Sequence, residues 1–373
     1  MDDRDLHDLR APIGVVGLAT CLPSGRVTAA GIAAMTGGAW TEAAVREKLG
    51  IDEKTVAGPD DGAQEMGARA AAACLERAGV DPDEVDAILC IGDELREYPM
   101  TTSGIYIQER IGARRAWALD VMQKCSSFAA GVRLARGLMR SEPATRTVLL
   151  AGGYRNGDWI DYTNPRVSFM YNLAPGGGAI LLRRGHPENH VVGVSLCSDG
   201  ALSRLVVGRP GEPGAAGGTL EVTDQDEMRR LLAERSVPNF LRVVREALAE
   251  GGLSQADIGY LALLHMKRSG HREILAALGL SEERSIYLSR YGHVGQFDQI
   301  LSLELAIAEG RVKPGDVVVG VGAGIGYSWG AVALRWGPPP GQPPRALGPR
   351  RERRRGPPGT NGTGARRLGL QSC

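Results

Sequence analysis

The sequence has few aromatic residues, almost no net charge and no long apolar run. Only 5% of its 373 residues are aromatic, whereas 52 are glycine, which predicts close packing between helices and strands. A net charge of +1 argues against a nucleic-acid or membrane-surface role for the whole chain. No stretch reaches the roughly 18 apolar residues of a membrane span, and the charged start "MDDRDLHDLRAP" shows no signal-peptide pattern. We therefore expect a soluble, cytoplasmic protein.

Two kinds of cofactor site are also missing. The six cysteines include no C-x-x-C pair, so no metal-binding spacing is present. The glycine run "VGAGIGYSWG" (321–330) is not followed by an acidic residue at the distance that dinucleotide binding requires, and there is no P-loop lysine. This run therefore predicts a tight turn at an active site rather than a phosphate cradle.

The C-terminal segment differs from the rest of the chain. From Gly337 onward it holds eight arginines against one acid, and eight of the 21 prolines, a composition that cannot bury a core. We predict four parts: an N-terminal extension (1–12), a first half (13–188), a second half (189–336) and a disordered Pro/Arg-rich tail (337–373).

Short apolar runs alternate with amphipathic helical patterns, which is typical of a layered α/β fold. The helical patterns include 65–79 and 240–252. The candidate strands are apolar runs bounded by turn residues: 13–19, 85–92, 147–153, 178–184, 190–196, 259–266, 285–290, 315–322 and 330–336.

The two halves repeat one pattern. "RAGVDPDEVDAILCIGDE" (77–94) and "EGGLSQADIGYLALLHMK" (250–267) both run from a helix end through an acidic turn into a buried strand. "TVLLAGG" (147–153) matches "DVVVGVG" (316–322) at an offset of 169, which brings Cys125 within one residue of His293. We therefore expect Cys125 and His293 at equivalent strand-to-helix turns of a duplicated fold.

Cys125, in "DVMQKCSSFAAG" (120–131), is predicted to begin a helix. Backbone N–H groups and the helix dipole favour a thiolate there, which would be a nucleophile toward thioesters. His265 ends a buried strand, where open α/β sheets present chemistry, and two imidazoles could move protons or polarise a carbonyl. The alternative is that Cys125 is a small core residue and the histidines are structural. His271 is predicted to be an exposed helix residue.

These motifs carry a family resemblance. The order of Cys125, "LLHMKRSGHREIL", "YGHVGQFDQ" and "VGVGAGIGYSWGAVALRW" resembles the type III β-ketoacyl-acyl-carrier-protein synthases of the thiolase superfamily, over roughly residues 13–336. The resemblance implies a homodimeric αβαβα thiolase-like fold made of two similar halves. It also implies a covalent acyl-enzyme on the cysteine, with no metal or organic cofactor.

The resemblance assigns four positions. Cys125 matches the acyl-accepting cysteine, and His265 matches the histidine of the Pro-His-Gln-Ala-Asn motif. The backbone N–H of Ile325 matches the second oxyanion donor beside that of Cys125. Tyr98 falls where an aromatic residue of the partner subunit closes the acyl tunnel.

The chain also departs from the family pattern. His293 stands where the family has asparagine, which gives a Cys-His-His set, and Arg268 replaces the asparagine of the Pro-His-Gln-Ala-Asn motif. The tryptophan and arginine that clamp the adenine of coenzyme A fall on Ala44 and Lys48, which leaves a carrier-protein donor plausible. Together with the unusual segment 154–175, these changes suggest a specialised substrate.

The sequence thus predicts an acyltransferase acting on acyl-carrier-protein or coenzyme A thioesters, as a homodimer without nucleic-acid or membrane partners. An acyl group loads onto Cys125 and passes to a malonyl-type thioester by decarboxylative Claisen condensation, with His265 and His293 bonding the thioester oxygen. The pathway would be polyketide-like. A His293→Ala variant would then load but fail in the second step. Alternatives are transfer to an alcohol or amine with His265 as general base, and a non-catalytic pseudo-synthase partner.

Overall fold

Strands and helices alternate along most of the chain. The computed structural model describes residues 8–92, 95–98, 100–210 and 218–339. The strands are β1 Ile13–Cys21, β2 Gly25–Thr28, β3 Glu53–Val56, β4 Ala87–Cys90, β5 Trp117–Asp120, β6 Thr147–Tyr154, β7 Gly176–Arg184, β8 His190–Ser198, β9 Val206–Pro210, β10 Gly218–Val222, β11 Ile258–Leu263, β12 Val317–Gly324 and β13 Ser328–Arg335. The α-helices are α1 Ala29–Met35, α2 Glu42–Ala44, α3 Ala63–Ala78, α4 Ser103–Ile111, α5 Ser127–Ser141, α6 Gln225–Glu250, α7 Arg268–Ala277 and α8 Asp298–Ala308.

Nine of these strands form two half-sheets. One half-sheet has the order β5-β4-β6-β7-β1 and the other has the order β8-β13-β12-β11. They are joined through a single β1–β8 residue pair, Gly14 with His190. Helices α3 and α4 cover the first half-sheet and α6 covers the second, while α5 and α8 contact both from between them. The layers are therefore αβαβα, and the predicted thiolase-like fold is confirmed.

The topology repeats in the two halves. β4 pairs parallel to β6, which is followed by antiparallel β7 and β1. β11 likewise pairs parallel to β12, which is followed by antiparallel β13 and β8. Strands β6 and β12 are the pair that the sequence offset matched. The duplicated fold therefore places α5 and α8, and the turns before them, in equivalent positions.

Several segments differ from the sequence prediction, and the short strands β2, β3 and β5 are absent from the candidate strands. Residues 285–290 form no strand, because the carbonyl of Ser289 accepts hydrogen bonds from the N–H groups of Asp52 and Glu53 instead of a neighbouring strand of the sheet. The helix expected at 240–252 is the second part of α6, which passes through Pro238. The β9–β10 hairpin was not predicted.

Parts of the predicted termini cannot be compared with the structure. Residues 1–7 of the N-terminal extension and residues 340–373 of the predicted tail lie outside the described residues. Within the described ranges, no helix combines the length and the apolar character needed to cross a lipid bilayer.

Candidate active site

The turn that carries Cys125 is fixed by its two neighbouring serines. Cys125 lies in a 3-10 turn, Lys124–Ser126, directly before α5. The Ser127 hydroxyl accepts a hydrogen bond from the Gln123 N–H at 2.7 Å, and the Ser126 and Ser328 hydroxyls bond at 2.5 Å. The second bond ties the turn to β13. The sulfur is therefore held at a helix start, as predicted, and it is almost fully buried.

Cys125, His293 and Asp298 form a continuous chain of contacts. His293 Nε2 lies 3.2 Å from Cys125 Sγ, and His293 Nδ1 lies 2.5 Å from Asp298 Oδ2. All three residues are buried. Burial would lower the pKa of His293, but the negative charges of Asp298 and Cys125 outweigh it and raise that pKa well above its ordinary value. A protonated imidazole at this distance stabilises a thiolate.

Two glycines let the His293 loop approach Cys125. Gly292 and Gly295 have φ angles of +79° and +62°, a region that favours glycine. A β-carbon at Gly295 would also lie 2.5 Å from the Tyr154 ring. The Tyr154 ring centroid lies 6.1 Å from that of His293, and burial raises the pKa of Tyr154 well above its ordinary value. Tyr154 is therefore protonated at neutral pH.

His265 is held by three hydrogen bonds. Its backbone N–H donates to Asp298 Oδ2 at 2.7 Å, Asn172 Nδ2 lies 3.1 Å from its Nδ1, and its Nε2 lies 3.3 Å from the Gly50 carbonyl oxygen. Burial lowers the pKa of His265 to about 4. His265 is therefore neutral where His293 is charged.

Cys125 and both histidines line one cavity of about 960 Å³. Its walls include Cys125, His265, His293 and Ile325, together with apolar side chains of α6. Gly324 packs against the turn that carries Cys125, since a β-carbon there would lie 3.1 Å from Cys125 N. The main chain entering Ile325 therefore passes directly beside Cys125.

Comparison with known proteins identifies the family. Residues 119–200 match the family described as 3-oxoacyl-[acyl-carrier-protein (ACP)] synthase III, and residues 248–336 match its C-terminal region. The β-ketoacyl-[acyl-carrier-protein] synthase III of Acaryochloris marina is 31% identical over 300 residues, which cover 78% of this chain and 88% of that protein. The chain belongs to the β-ketoacyl-acyl-carrier-protein synthase III family. It is therefore an acyl-condensing transferase.

Solved structures show the same fold for this synthase III family member. The 3-oxoacyl-(acyl carrier protein) synthase III of Pseudomonas aeruginosa superposes with a TM-score of 0.77 at 23% identity, over 87% of this chain and 98% of that one. The priming β-ketosynthase of a polyketide biosynthetic pathway gives 0.76 at 23% identity, over 88% and 98%.

The structure brings together most of the residues that the sequence singled out. Cys125, His265, His293 and Ile325 line the same cavity. Tyr98 does not line it; this side chain is 57% exposed and its ring lies 6.1 Å from that of Tyr106. The proposed role of Tyr98 therefore depends on a partner subunit.

Three other positions need correction or comment. His271, expected to be exposed, is buried against the Tyr287 ring. Arg268 is not among the residues that line the cavity, and its guanidinium lies over the Tyr287 ring at 4.8 Å. Trp40, four residues before Ala44, lines the cavity, and Lys48 Nζ lies 5.7 Å from its ring centroid.

Sequence reasoning missed Asp298, Tyr154 and Asn172. Asp298 was detectable in principle, because an acid five residues after a candidate histidine opens a helix. Tyr154 ends β6 and Asn172 follows a 3-10 turn, Pro165–Met170, so only the tertiary fold brings them to the site. No local pattern indicates either residue.

Proposed function

We propose that this synthase III loads an acyl group from a carrier-protein or coenzyme A thioester onto Cys125 and passes it to a malonyl-type thioester by decarboxylative Claisen condensation. The contact between Cys125 Sγ and His293 Nε2 carries this proposal, because it pairs a nucleophile with a proton carrier. We place the reaction in specialised, polyketide-like metabolism. The likeness to a priming ketosynthase and the departures from the family pattern support that placement.

In the loading step, the Cys125 thiolate attacks the thioester carbonyl and forms a carbon–sulfur bond. The backbone N–H groups of Cys125 and Ile325 hold the oxyanion. As the intermediate collapses, the donor thiol leaves with the proton from His293. His293 is then neutral, with its remaining proton on Nδ1 toward Asp298.

In the condensation step, the carboxylate of the malonyl-type thioester leaves as carbon dioxide. Its thioester oxygen becomes an enolate, which accepts a hydrogen bond from His265 Nε2. The enolate carbon attacks the acyl carbonyl and releases the Cys125 thiolate. The product is a β-ketoacyl thioester.

Asp298 favours a second candidate, transfer to an alcohol or amine without decarboxylation. A carboxylate at Nδ1 leaves the neutral imidazole with a lone pair at Nε2. That nitrogen can remove the proton of an O–H or N–H acceptor as it attacks the acyl-enzyme. The product would be an ester or an amide.

We propose that the protein works as a homodimer through the free edge of β5. β5 ends the first half-sheet, and Trp117 and Leu119 on it are 43% and 48% exposed. Ile105, Met122 and Tyr98 add exposed apolar surface nearby. An unpaired strand edge beside an apolar patch is typical of an interface. Tyr98 would then close the acyl tunnel of the partner subunit.

Intact-mass measurement after incubation with acyl thioesters tests the loading step. Wild-type protein should gain one acyl mass, and Cys125→Ala should gain none. Cys74→Ala is the matched control, since Cys74 is also buried and free, and it should load normally. Absence of any adduct would favour a non-catalytic pseudo-synthase.

The second step is tested on the loaded protein. With labelled malonyl-carrier protein, release of labelled carbon dioxide and a β-ketoacyl product supports condensation. If carbon dioxide is not released but an added alcohol or amine discharges the acyl-enzyme, the second candidate is correct.

A further inference from the structure

A short buried segment, residues 171–174, contacts both active-site histidines. The His293 N–H donates to the Asn172 carbonyl at 2.8 Å, and the Ala174 N–H donates to the His293 carbonyl at 2.9 Å. The Asn172 side chain reaches His265. This segment, called here the Asn172 segment, therefore connects two residues that the chain places far apart.

The contacts of His265 fix the position of its proton. Asn172 Nδ2 can only donate, so Nδ1 of His265 must accept with a lone pair. Its Nε2 faces the Gly50 carbonyl oxygen, which can only accept. Because burial lowers the pKa of His265 to about 4, the ring is neutral at pH 7. Its one proton lies on Nε2.

Lys54 holds the Asn172 segment in place. Its buried Nζ lies 2.8 Å from the carbonyl oxygen of Tyr171 and 2.5 Å from that of Leu173, which flank Asn172. A third contact joins it to the Tyr162 hydroxyl at 2.7 Å. Burial lowers the pKa of Lys54 to about 7, and the protonated form uses all three of its N–H donors in these contacts. The backbone on both sides of Asn172 is fixed by one side chain.

We propose that Asn172 is a positioning residue of the second half-reaction, which keeps His265 a hydrogen-bond donor through Nε2, and that Lys54 holds Asn172 there. This rests on the proposed function, in which an oxygen of the acceptor or the acyl group takes the place of the Gly50 carbonyl. Since Nδ1 is occupied and Nε2 is protonated, His265 cannot act as a base. Proton removal from an acceptor then falls to His293.

The proton position can be measured without substrate. Full-length protein labelled with ¹⁵N at its six histidines is followed by NMR, and His265→Gln assigns the His265 signal. From about pH 6 to about pH 8 we expect the Nε2-protonated neutral form. A ring protonated on Nδ1, or doubly protonated at pH 7, overturns the proposal.

Two variants test the role of Asn172. Asn172→Leu removes the donor; acyl loading on Cys125 should stay within about twofold, while transfer slows by about 10- to 100-fold. Asn172→Asp replaces the donor with an acceptor, which should move the proton to Nδ1 and shift the acid limb of the transfer rate to higher pH. Asn164→Ala is the matched control; its side chain only caps a 3-10 turn in the same loop, and the His265 signal should not change.

Lys54→Met tests whether Lys54 holds Asn172 in place. It should give His265 the same NMR change as Asn172→Leu, and an unchanged His265 signal would overturn the role of Lys54.

Loading and proton position are separate measurements. If no acyl adduct forms but the wild-type proton lies on Nε2, the proposed function fails and the assignment of His265 stands. If the adduct forms and Asn172→Leu transfers normally, the inference fails alone.

Discussion

At the scale of single residues, Asp298 connects the two histidines electrostatically. Its Oδ1 accepts from the Val294 N–H at 2.7 Å, while Oδ2 accepts from the His265 N–H and contacts His293 Nδ1. This carboxylate is buried, so solvent does not screen its charge. Its negative charge therefore acts on His293, the residue in contact with Cys125.

Replacing Asp298 should leave less of Cys125 in the thiolate form. Asp298→Asn keeps the shape but removes the charge that raises the pKa of His293, so less imidazolium faces Cys125. Alkylation of Cys125 by iodoacetamide at pH 7 should slow about tenfold or more. Asp316→Asn is the control, because Asp316 only accepts from the Lys313 N–H at the surface. Equal alkylation rates in Asp298→Asn and the wild type would contradict this role.

His293 should matter for loading as well as transfer. The sequence alone led to the expectation that His293→Ala spares loading, but the 3.2 Å contact with Sγ makes this ring the proton donor to the leaving thiol. We expect His293→Ala and His293→Asn to slow loading by about 100-fold, measured by single-turnover mass spectrometry. Loading at the wild-type rate in both variants would limit His293 to the second step.

The residues that the sequence revealed and those it missed differ in a physical way. Cys125 and His265 stand at ends of regular elements, where apolar periodicity stops and a reactive side chain is conspicuous. Tyr154 ends a strand equally clearly, but a tyrosine there is ordinary. Asn172 acts only because Lys54, more than a hundred residues away in sequence, fixes its backbone. Such couplings leave no local pattern.

At the scale of elements, α5 is stabilised at both ends. Cys125 lies before its first residue, and Arg184 of β7 binds carbonyl groups at and beyond its last turn. Arg184 donates to the carbonyls of Met139, Glu142, Pro143 and Thr145 and pairs with Asp8 at 3.0 Å. The guanidinium is fully buried. It therefore satisfies carbonyl groups that the helix leaves unpaired.

Removing this guanidinium should destabilise the fold. Arg184→Met leaves several carbonyl groups and Asp8 without their partner, so we expect the free energy of unfolding to fall by about 3–5 kcal/mol. Urea denaturation measures this. Arg183→Met is the neighbouring control, since Arg183 is partly exposed and pairs with Glu84 at the surface, where such pairs contribute about 0–1 kcal/mol. Similar losses in both variants would show that burial of Arg184 adds nothing.

The edge strand β5 allows a test of the proposed dimer. Leu119→Lys places a charge on the exposed edge, which should shift the protein to monomer in analytical ultracentrifugation. Leu134→Lys is the matched control, because Leu134 is 45% exposed and belongs to α5 rather than to the edge strand. If Leu119→Lys sediments like the wild type, the interface lies elsewhere.

Prediction of the elements succeeded where burial is continuous. The strands of the central half-sheets are buried apolar runs, and the sequence located eight of the nine. For β5 the sequence implied only a strand without bounds before the Cys125 turn, since the residues of β5 alternate between partly buried and exposed. Residues 285–290 look like a strand, yet the Ser289 carbonyl accepts hydrogen bonds from the N–H groups of Asp52 and Glu53 at the start of β3. The hydrophobic pattern identifies which segments are buried, but it does not identify the segment with which each one forms backbone hydrogen bonds.

At the scale of the whole molecule, two buried neutral histidines make stability depend on pH. Burial lowers the pKa of His265 and of His271 to about 4 each, below the ordinary value near 6.5. Between these values the unfolded chain binds protons that the folded chain does not. The stability contributed by these two neutral histidines is therefore full above about pH 6.5 and is lost as pH falls toward 4, by up to about 3 kcal/mol for each histidine.

His271 isolates this effect from catalysis. His271→Gln should make the free energy of unfolding less dependent on pH between about pH 6.5 and about pH 4. The slope against pH should fall by up to the amount that uptake of one proton contributes. Urea titrations at a series of pH values measure it. A slope identical to that of the wild type would mean that the unfolded chain gains no proton at His271.

The contact between Cys125 and His293 joins side chains from opposite halves of the duplicated chain, whose sheets share only one residue pair. Separation of the halves by an ångström or two would leave the sulfur without its imidazolium. The rate at which a thiol reagent labels Cys125 therefore also reports whether the two halves are packed correctly. Chains with misplaced halves would be labelled more slowly even while their secondary structure is intact.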